Sequence, residues 1–176
     1  MPNNSQKYSS ENEFIRKNKN VIIYLFGVII FFVLIAFTDF YILPASKTND
    51  VITHYAVQTS GKSKQKVSYH YFTKNGLTFS TAKEFIDENN ITIETSLLFK
   101  NVTEVKSEAK NYSNILSSGL SINGIQFYTC IILLFSIGIS IKILLSKNGF
   151  SENAFYNIVC FNGFMIFICL YMAYLF

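Results

Sequence analysis

The chain has 176 residues, of which 50% are hydrophobic and 15% charged, and its formal net charge is +4 at pH 7. Three long apolar blocks, 21–38, 125–141 and 154–176, carry no charge at all, and this distribution excludes a soluble globular protein and a disordered chain. With only three cysteines, the chain is not a disulfide-dense secreted scaffold either.

The chain begins with a polar segment, 1–20, whose asparagine and serine content is typical of disorder. The apolar segment 21–43 follows and is long enough to cross a membrane, since a spanning helix needs roughly 20 apolar residues. It is also longer than the apolar stretch of a signal peptide, about 7–15 residues, so we predict an uncleaved transmembrane helix. Asp39, near its far end, is expected to be hydrated in the headgroup region.

The next segment, 44–124, has the alternating pattern of β-strands. A strand is predicted at 51–59. The four residues expected on one face of this strand are Val51, Thr53, Tyr55 and Val57.

A hairpin is predicted next, because Asn75-Gly76 lies between two β-rich runs. A three-residue loop, 74–76, with glycine at positive φ pairs Tyr71 with Phe79 and puts the apolar residues on one face. These apolar residues are Val67, Tyr69, Tyr71, Leu77 and Phe79.

The rest of this segment combines one helix with further strands. Thr81 and Glu84 have the spacing of a capping box, which predicts a short helix at 82–88. Further strands are predicted at 91–94 and 102–106, followed by a polar connector at 108–121 with helical character at 112–116. The fold class is thus a membrane protein whose first two helices are separated by a small α+β module with a mainly antiparallel sheet.

Two more transmembrane helices are predicted at 125–145 and 155–176, joined by a short turn at 146–154. Small and amide side chains mediate contact between helices in membranes. The residues predicted to pack these two helices are Ser136, Gly138, Ser140, Asn162 and Gly163.

Basic residues in short flanks indicate the cytoplasmic side of a membrane protein. They precede the first helix (Arg16, Lys17, Lys19) and lie at or in the turn between the last two (Lys142, Lys147). We therefore predict a multi-pass protein of the cell membrane with a cytoplasmic N-terminus, whereas 44–124 and the C-terminus are extracytoplasmic.

The candidate binding residues lie in the predicted module. Lys62, Lys64 and Lys66 alternate and so share one strand face, where they would bind an anionic group or an acidic partner. The alternative is an edge strand kept soluble by lysine. The aromatic residues Tyr69, Tyr71 and Phe79 complete this predicted set.

No catalytic constellation is visible in the sequence. His54 and His70 are the only histidines, and no spacing typical of metal ligands occurs. We predict no catalytic residue, metal site or cofactor, and the chain is not expected to be an enzyme or to bind nucleic acid.

The leading hypothesis is a small bacterial integral membrane protein whose extracytoplasmic module binds a protein partner, in an accessory, regulatory or immunity-type role. A module of this size is marginally stable alone, which favours a protein partner or a homo-oligomer. One alternative is a subunit of a transporter or channel, with Asn162, Ser136 and Asp39 along the path. Another is a membrane-bound envelope enzyme with His54 or His70 as base.

Overall fold

The computed structural model describes residues 4–59, 61, 65–146 and 150–175. The chain divides into two compact units. The first, here called the helical unit, comprises Met1–Leu34 and Cys130–Leu170. The second, the sheet unit, comprises Ile35–Thr129 and Tyr171–Phe176.

Three α-helices are present in the described chain, α1 (Asn4–Tyr41), α2 (Ile125–Leu144) and α3 (Glu152–Leu175). Each contains a stretch long and apolar enough to cross a membrane. These stretches are Lys17–Tyr41, Ile125–Leu144 and Glu152–Tyr174.

Helix α1 begins at Asn4, so the segment expected to be disordered is helical from that residue onward. A helix that has already formed can extend without a new nucleation cost, and this is the physical reason a polar segment next to an apolar helix can continue it.

Five strands between α1 and α2 form one antiparallel sheet in the order β3-β2-β1-β4-β5, as the sequence predicts for this segment. The strands are β1 (Ser46–Thr59), β2 (Lys66–Thr73), β3 (Thr78–Ala82), β4 (Asn90–Thr95) and β5 (Val102–Lys106). A single 3₁₀ turn, Ser113–Ile115, lies within the connector predicted to have helical character.

The β2–β3 hairpin has the predicted three-residue loop. Tyr71 pairs with Phe79, and the Thr73 N–H donates to the Leu77 carbonyl at 3.0 Å. Gly76 closes the loop at φ 82°, a conformation that glycine adopts without steric cost. This pairing confirms the predicted register, and Tyr69, Tyr71 and Phe79 of the predicted apolar face are buried in the core with Leu77 packed against it. Val67, also predicted on that face, is 48% exposed and lies outside the core.

A β-bulge in strand β1 changes which of its side chains point toward the core. Residues 46–51 pair with β4 and 52–59 pair with β2, with a register shift between Ile52 and His54. The extra residue, Thr53, reverses the alternation, so Ile52 and Tyr55 both contact core residues. The predicted common face of Val51, Thr53, Tyr55 and Val57 is therefore wrong.

The predicted helix at 82–88 is absent: β3 ends at Ala82, and 83–88 have no regular secondary structure. Lys83 has φ 69°, and the Thr81 hydroxyl donates to the Glu84 carbonyl at 2.8 Å instead of accepting a helical N–H. The Ile86 N–H donates to the Tyr71 hydroxyl at 2.8 Å. Ile86 is buried in the core, and this tertiary contact prevails over the local capping signal.

The core of the sheet unit is apolar and lies on one face of the sheet. Its buried members are Ile52, Tyr69, Tyr71, Phe79, Ile86, Ile91, Ile93, Val102, Val105, Tyr112 and Leu116. The connector contributes the last two and pairs with both edge strands: the Tyr112 N–H donates to the Val105 carbonyl and the Ser117 N–H to the Ser80 carbonyl, each at 2.8 Å.

Candidate interaction surfaces

The aromatic residues predicted to bind a partner are core residues. Tyr69, Tyr71 and Phe79 are 7%, 0% and 2% exposed, and the rings of Tyr71 and Phe79 stack with centroids 5.0 Å apart. Burial raises the pKa of the Tyr71 hydroxyl above its usual value. These side chains are unavailable at the surface because the alternation that suggested one shared face directs that face inward.

Of the predicted lysine row, the structure describes Lys66 alone; Lys62 and Lys64 lie outside the described residues. Lys66 begins β2, and its ammonium lies 5.8 Å from the centroid of the Tyr69 ring. This contact is a cation–π interaction at the edge of the core.

The two histidines lie on the outer face of the sheet. The His54 ring stacks on Phe72 with centroids 4.4 Å apart. His70 Nδ1 lies 2.7 Å from Ser80 Oγ, and His70 Nε2 lies 3.4 Å from Ser68 Oγ. Ser80 is only 3% exposed, so a substrate would not reach its hydroxyl. His54–Phe72 and His70–Ser80 are cross-strand pairs, which stabilise a sheet surface, whereas Ser68 and His70 are neighbours on one face of β2.

The described residues contain no group of three or more His, Cys, Asp or Glu side chains arranged to hold a metal ion.

One edge of the sheet is open. No other described strand pairs with 53–59 of β1 on the side away from β2, and all seven residues are exposed. Tyr55 and Val57 in this stretch are 50% and 38% exposed. We call residues 53–59 the open edge of β1. Every second residue of an edge strand directs its N–H and C=O away from its neighbour, so this edge presents unpaired backbone groups.

The open edge has no charged residue. Natural edge strands are usually protected by lysine, proline or a covering segment. Edge strands β3 and β5 are covered in this way, because connector residues Leu116 and Asn111 bridge to Thr81 and Lys106. The absence of charge in THYAVQT was the available sequence signal, but only the pairing pattern shows that this stretch is an edge.

The residues predicted for helix packing divide into two groups. Asn162 is 1% exposed and connects α2 with α3: it accepts a hydrogen bond from Ser136 Oγ and donates one to Ser140 Oγ, both at 2.8 Å. Its amide also donates to the Ile158 carbonyl at 2.8 Å. In contrast, a Cβ added at Gly138 or Gly163 would have no atom within 4 Å apart from its chain neighbours and the backbone of its own helix. The structure brings the polar side chains together and leaves both glycines away from close contact.

Asp39 is a polar residue whose role sequence reasoning missed. It was expected to be hydrated, but it is 1% exposed, and its two oxygens accept the N–H groups of Leu98 at 2.8 Å and Phe99 at 3.0 Å. The carboxylate thus connects the last turns of α1 to the loop between β4 and β5, within the sheet unit.

No protein-family model, curated protein or solved structure was found to match this chain.

Proposed function

We propose that this chain is an integral protein of a bacterial cell membrane that crosses the bilayer three times, with a cytoplasmic N-terminus and an extracytoplasmic sheet unit. The support is the distribution of polarity in the helices. Large apolar side chains are exposed along α2 and α3, whereas the amide of Asn162 is buried. Helices in lipid have this arrangement, because an unpaired amide is costly there while an exposed apolar side chain is not.

The side of the membrane can be tested by labelling. In a cysteine-free variant, Lys74→Cys places a thiol in the exposed loop of the β2–β3 hairpin. A membrane-impermeant maleimide is expected to label this thiol in intact cells. Labelling that requires cell lysis would contradict the proposed orientation.

The proposed function of the sheet unit is to bind a protein partner by strand addition. The observation that carries this proposal is the open edge of β1, which is exposed, has no charged residue and pairs with no described strand on the side away from β2. An extended segment that joins such an edge gains backbone hydrogen bonds, and side-chain contacts with Tyr55 and Val57 add specificity. The proposed occupant is an extended segment of another protein of the same membrane or envelope compartment.

The helices offer less support for a transport path. The Asn162 side chain, which motivated that alternative, makes its hydrogen bonds with Ser136, Ser140 and Ile158 within the helical unit. A group engaged in this way fits a role in helix contact. The binding function is therefore the one that the geometry favours.

Photo-crosslinking in intact cells tests the strand-addition proposal. A benzoylphenylalanine probe replaces Tyr55 or Val57 in the open edge, and the matched control carries it at Thr78, an exposed residue of edge strand β3. We expect one adduct with a defined partner from the open-edge positions and little from Thr78. Hydrogen exchange on the purified complex should show new protection at alternate amides within 53–59, which is the signature of a strand ladder.

A charged residue should block the edge. Val57→Lys is expected to abolish the Tyr55 adduct, whereas Val67→Lys, at an exposed valine of strand β2, should leave it. Equal adducts from Tyr55 and Thr78, or an adduct that survives Val57→Lys, would overturn the proposal.

Co-expression of two differently tagged copies identifies the occupant. An adduct that carries both tags would assign the edge to a second copy and refute the assignment to another protein.

A further inference from the structure

The loop between β4 and β5 exposes three consecutive apolar side chains. Leu97, Leu98 and Phe99 are 46%, 57% and 51% exposed. The other large apolar side chains of these two strands, such as Ile93 and Val105, are fully buried. Exposed apolar side chains that occur singly are normal, but three in succession at a loop tip indicate an apolar partner.

The loop has a defined conformation. Ser96 and Asn101 close it, with the Ser96 N–H donating to the Asn101 carbonyl at 2.8 Å and the Asn101 N–H donating to Ser96 Oγ at 3.1 Å. Lys100 makes the turn at φ 56°. The two ends of the loop are thus bonded to each other, while Leu97, Leu98 and Phe99 between them expose their side chains.

The position of this loop relative to the membrane follows from Asp39. The Leu98 and Phe99 N–H groups donate to the two oxygens of Asp39, which lies two residues before the end of α1 at Tyr41. Tyr41 is also the end of the apolar stretch that is long enough to cross a membrane. Residues Ile35–Thr129 belong to one compact unit. In the proposed three-span topology, the tip of the loop therefore lies at the level where α1 leaves the hydrocarbon core.

We infer that Leu97, Leu98 and Phe99 insert into the outer leaflet of the bilayer and hold the sheet unit against the membrane surface. This inference rests on the proposed three-span topology, and the occupant is the lipid interface itself. Apolar side chains lying at the boundary between headgroups and acyl chains, with a basic residue beside them, are typical of interfacial anchors. Lys100, exposed and next to Phe99, is in position to meet the phosphate groups.

The inference gives Asp39 a specific role. By binding the backbone of the loop, its carboxylate leaves all three apolar side chains available to lipid. Two backbone N–H groups at membrane depth are also paired, which removes the cost of bringing an irregular loop into the interface.

A single-tryptophan experiment tests the inference directly, because the chain contains no tryptophan. The full-length Phe99→Trp variant is reconstituted into phosphatidylcholine and phosphatidylglycerol vesicles with acyl chains brominated near the headgroup. We expect a blue-shifted emission and loss of most of the fluorescence relative to unbrominated vesicles. Leu98→Trp is a second reporter in the same loop and should behave in the same way.

Two control variants test the three-span topology independently of the loop. Phe135→Trp, at a 73% exposed position of α2, should be quenched by chains brominated at greater depth if the helices span the membrane. Val67→Trp, at a 48% exposed position, should remain unquenched. Val67 lies in β2 beside the end of β1 near Thr59. The other end of β1, Ser46, pairs with Thr95 beside the loop. At about 3.3 Å per residue, the two ends of β1 are roughly 40 Å apart.

The outcomes distinguish the two proposals. Quenching of the loop reporters and Phe135→Trp, with Val67→Trp unquenched, supports the interfacial loop. If Phe135→Trp is quenched while Phe99→Trp and Leu98→Trp emit as in water, the interfacial loop is refuted and the three-span topology stands. If Phe135→Trp is also unquenched, the topology itself is refuted, and the loop proposal with it.

Discussion

The helical unit and the sheet unit differ in what joins their elements and in what their elements expose. Both bury apolar side chains, such as Tyr71 and Ile93 in the sheet unit and Leu133 and Ile137 in the helical unit. In the helical unit the buried Asn162 connects α2 and α3, whereas Phe135 and Leu170 are 73% and 66% exposed. Large apolar side chains are therefore exposed along the helices, and a buried amide joins two of these helices.

This difference indicates which interaction stabilises each unit. In water, burying apolar surface is the main favourable term, so the aromatic core should dominate the stability of the sheet unit. In lipid, an apolar side chain gains little by moving from acyl chains to a neighbouring helix, and association depends on close packing and a few hydrogen bonds. Single substitutions should therefore have unequal effects in the two units.

The largest expected effect is that of Tyr71→Ala. Removing a fully buried aromatic side chain costs about 3–5 kcal/mol, and this one also leaves the Ile86 N–H without its acceptor. The expected result is loss of the β-sheet signal in circular dichroism at a much lower temperature, while the helical signal persists. Tyr55→Ala, at a 50% exposed position of the same sheet, should lower the unfolding temperature less, because the Tyr55 ring borders the core only through Tyr71 and Phe85. Equal shifts for the two variants would contradict the assignment of the core.

A smaller effect is expected for Asn162→Leu. Hydrogen bonds between membrane helices contribute about 0.6 kcal/mol on average and about 1.7 kcal/mol at most. This substitution removes those to Ser136 and Ser140. The measurement is the unfolding of the helices in a titration from mild detergent into dodecyl sulfate. The control, Phe164→Leu, changes a 60% exposed side chain and should leave the transition unchanged. If Asn162→Leu destabilised the protein as much as Tyr71→Ala, the proposed contrast between the units would fail.

The smallest effect concerns an ion pair on the sheet. The Lys106 ammonium, 2.7 Å from Glu104 Oε1, lowers the pKa of the Glu104 carboxyl below its usual value. A carboxyl with a lowered pKa in the folded state adds stability above its unfolded pKa of about 4.3, and this contribution is lost as the pH falls through the folded pKa.

Glu104→Gln should accordingly lower the melting temperature of the sheet slightly at neutral pH, and the difference from the parent protein should narrow as the solution is acidified. Lys106→Gln should reproduce this narrowing, because it removes the other partner of the same pair. If the difference in melting temperature between Glu104→Gln and the parent protein grows on acidification, the ion pair does not stabilise the ionised carboxyl as proposed.

Local patterns predicted the elements whose neighbours are close in sequence. The β2–β3 loop followed from the Asn-Gly signal and the alternation of Tyr69, Tyr71 and Phe79. The contribution of Asn162 and the two serines to contact between α2 and α3 could be anticipated because an amide in an apolar helix needs partners.

Other features depended on distant partners. The capping signal at Thr81 predicted a helix, but Phe85 and Ile86 pack against the sheet instead, and Tyr71 takes the Ile86 N–H. The bulge at Thr53 has no strong local signal, and it reverses which side chains of β1 meet the core. The alternation of Tyr69, Tyr71 and Phe79 indicated a shared face, but only the packing of the sheet shows that this face is buried.

The sequence by itself determined that three helices are long and apolar enough to cross a membrane and that an antiparallel sheet lies between the first two, because hydropathy and alternation are properties of consecutive residues. Only the tertiary structure decided that Asp39 is buried against the Leu98 and Phe99 amides and that 53–59 of β1 form an open edge. Both features depend on residues far apart in the chain: Asp39 meets a loop about 60 residues later, and the edge is open because β4 pairs only with 46–51 of β1.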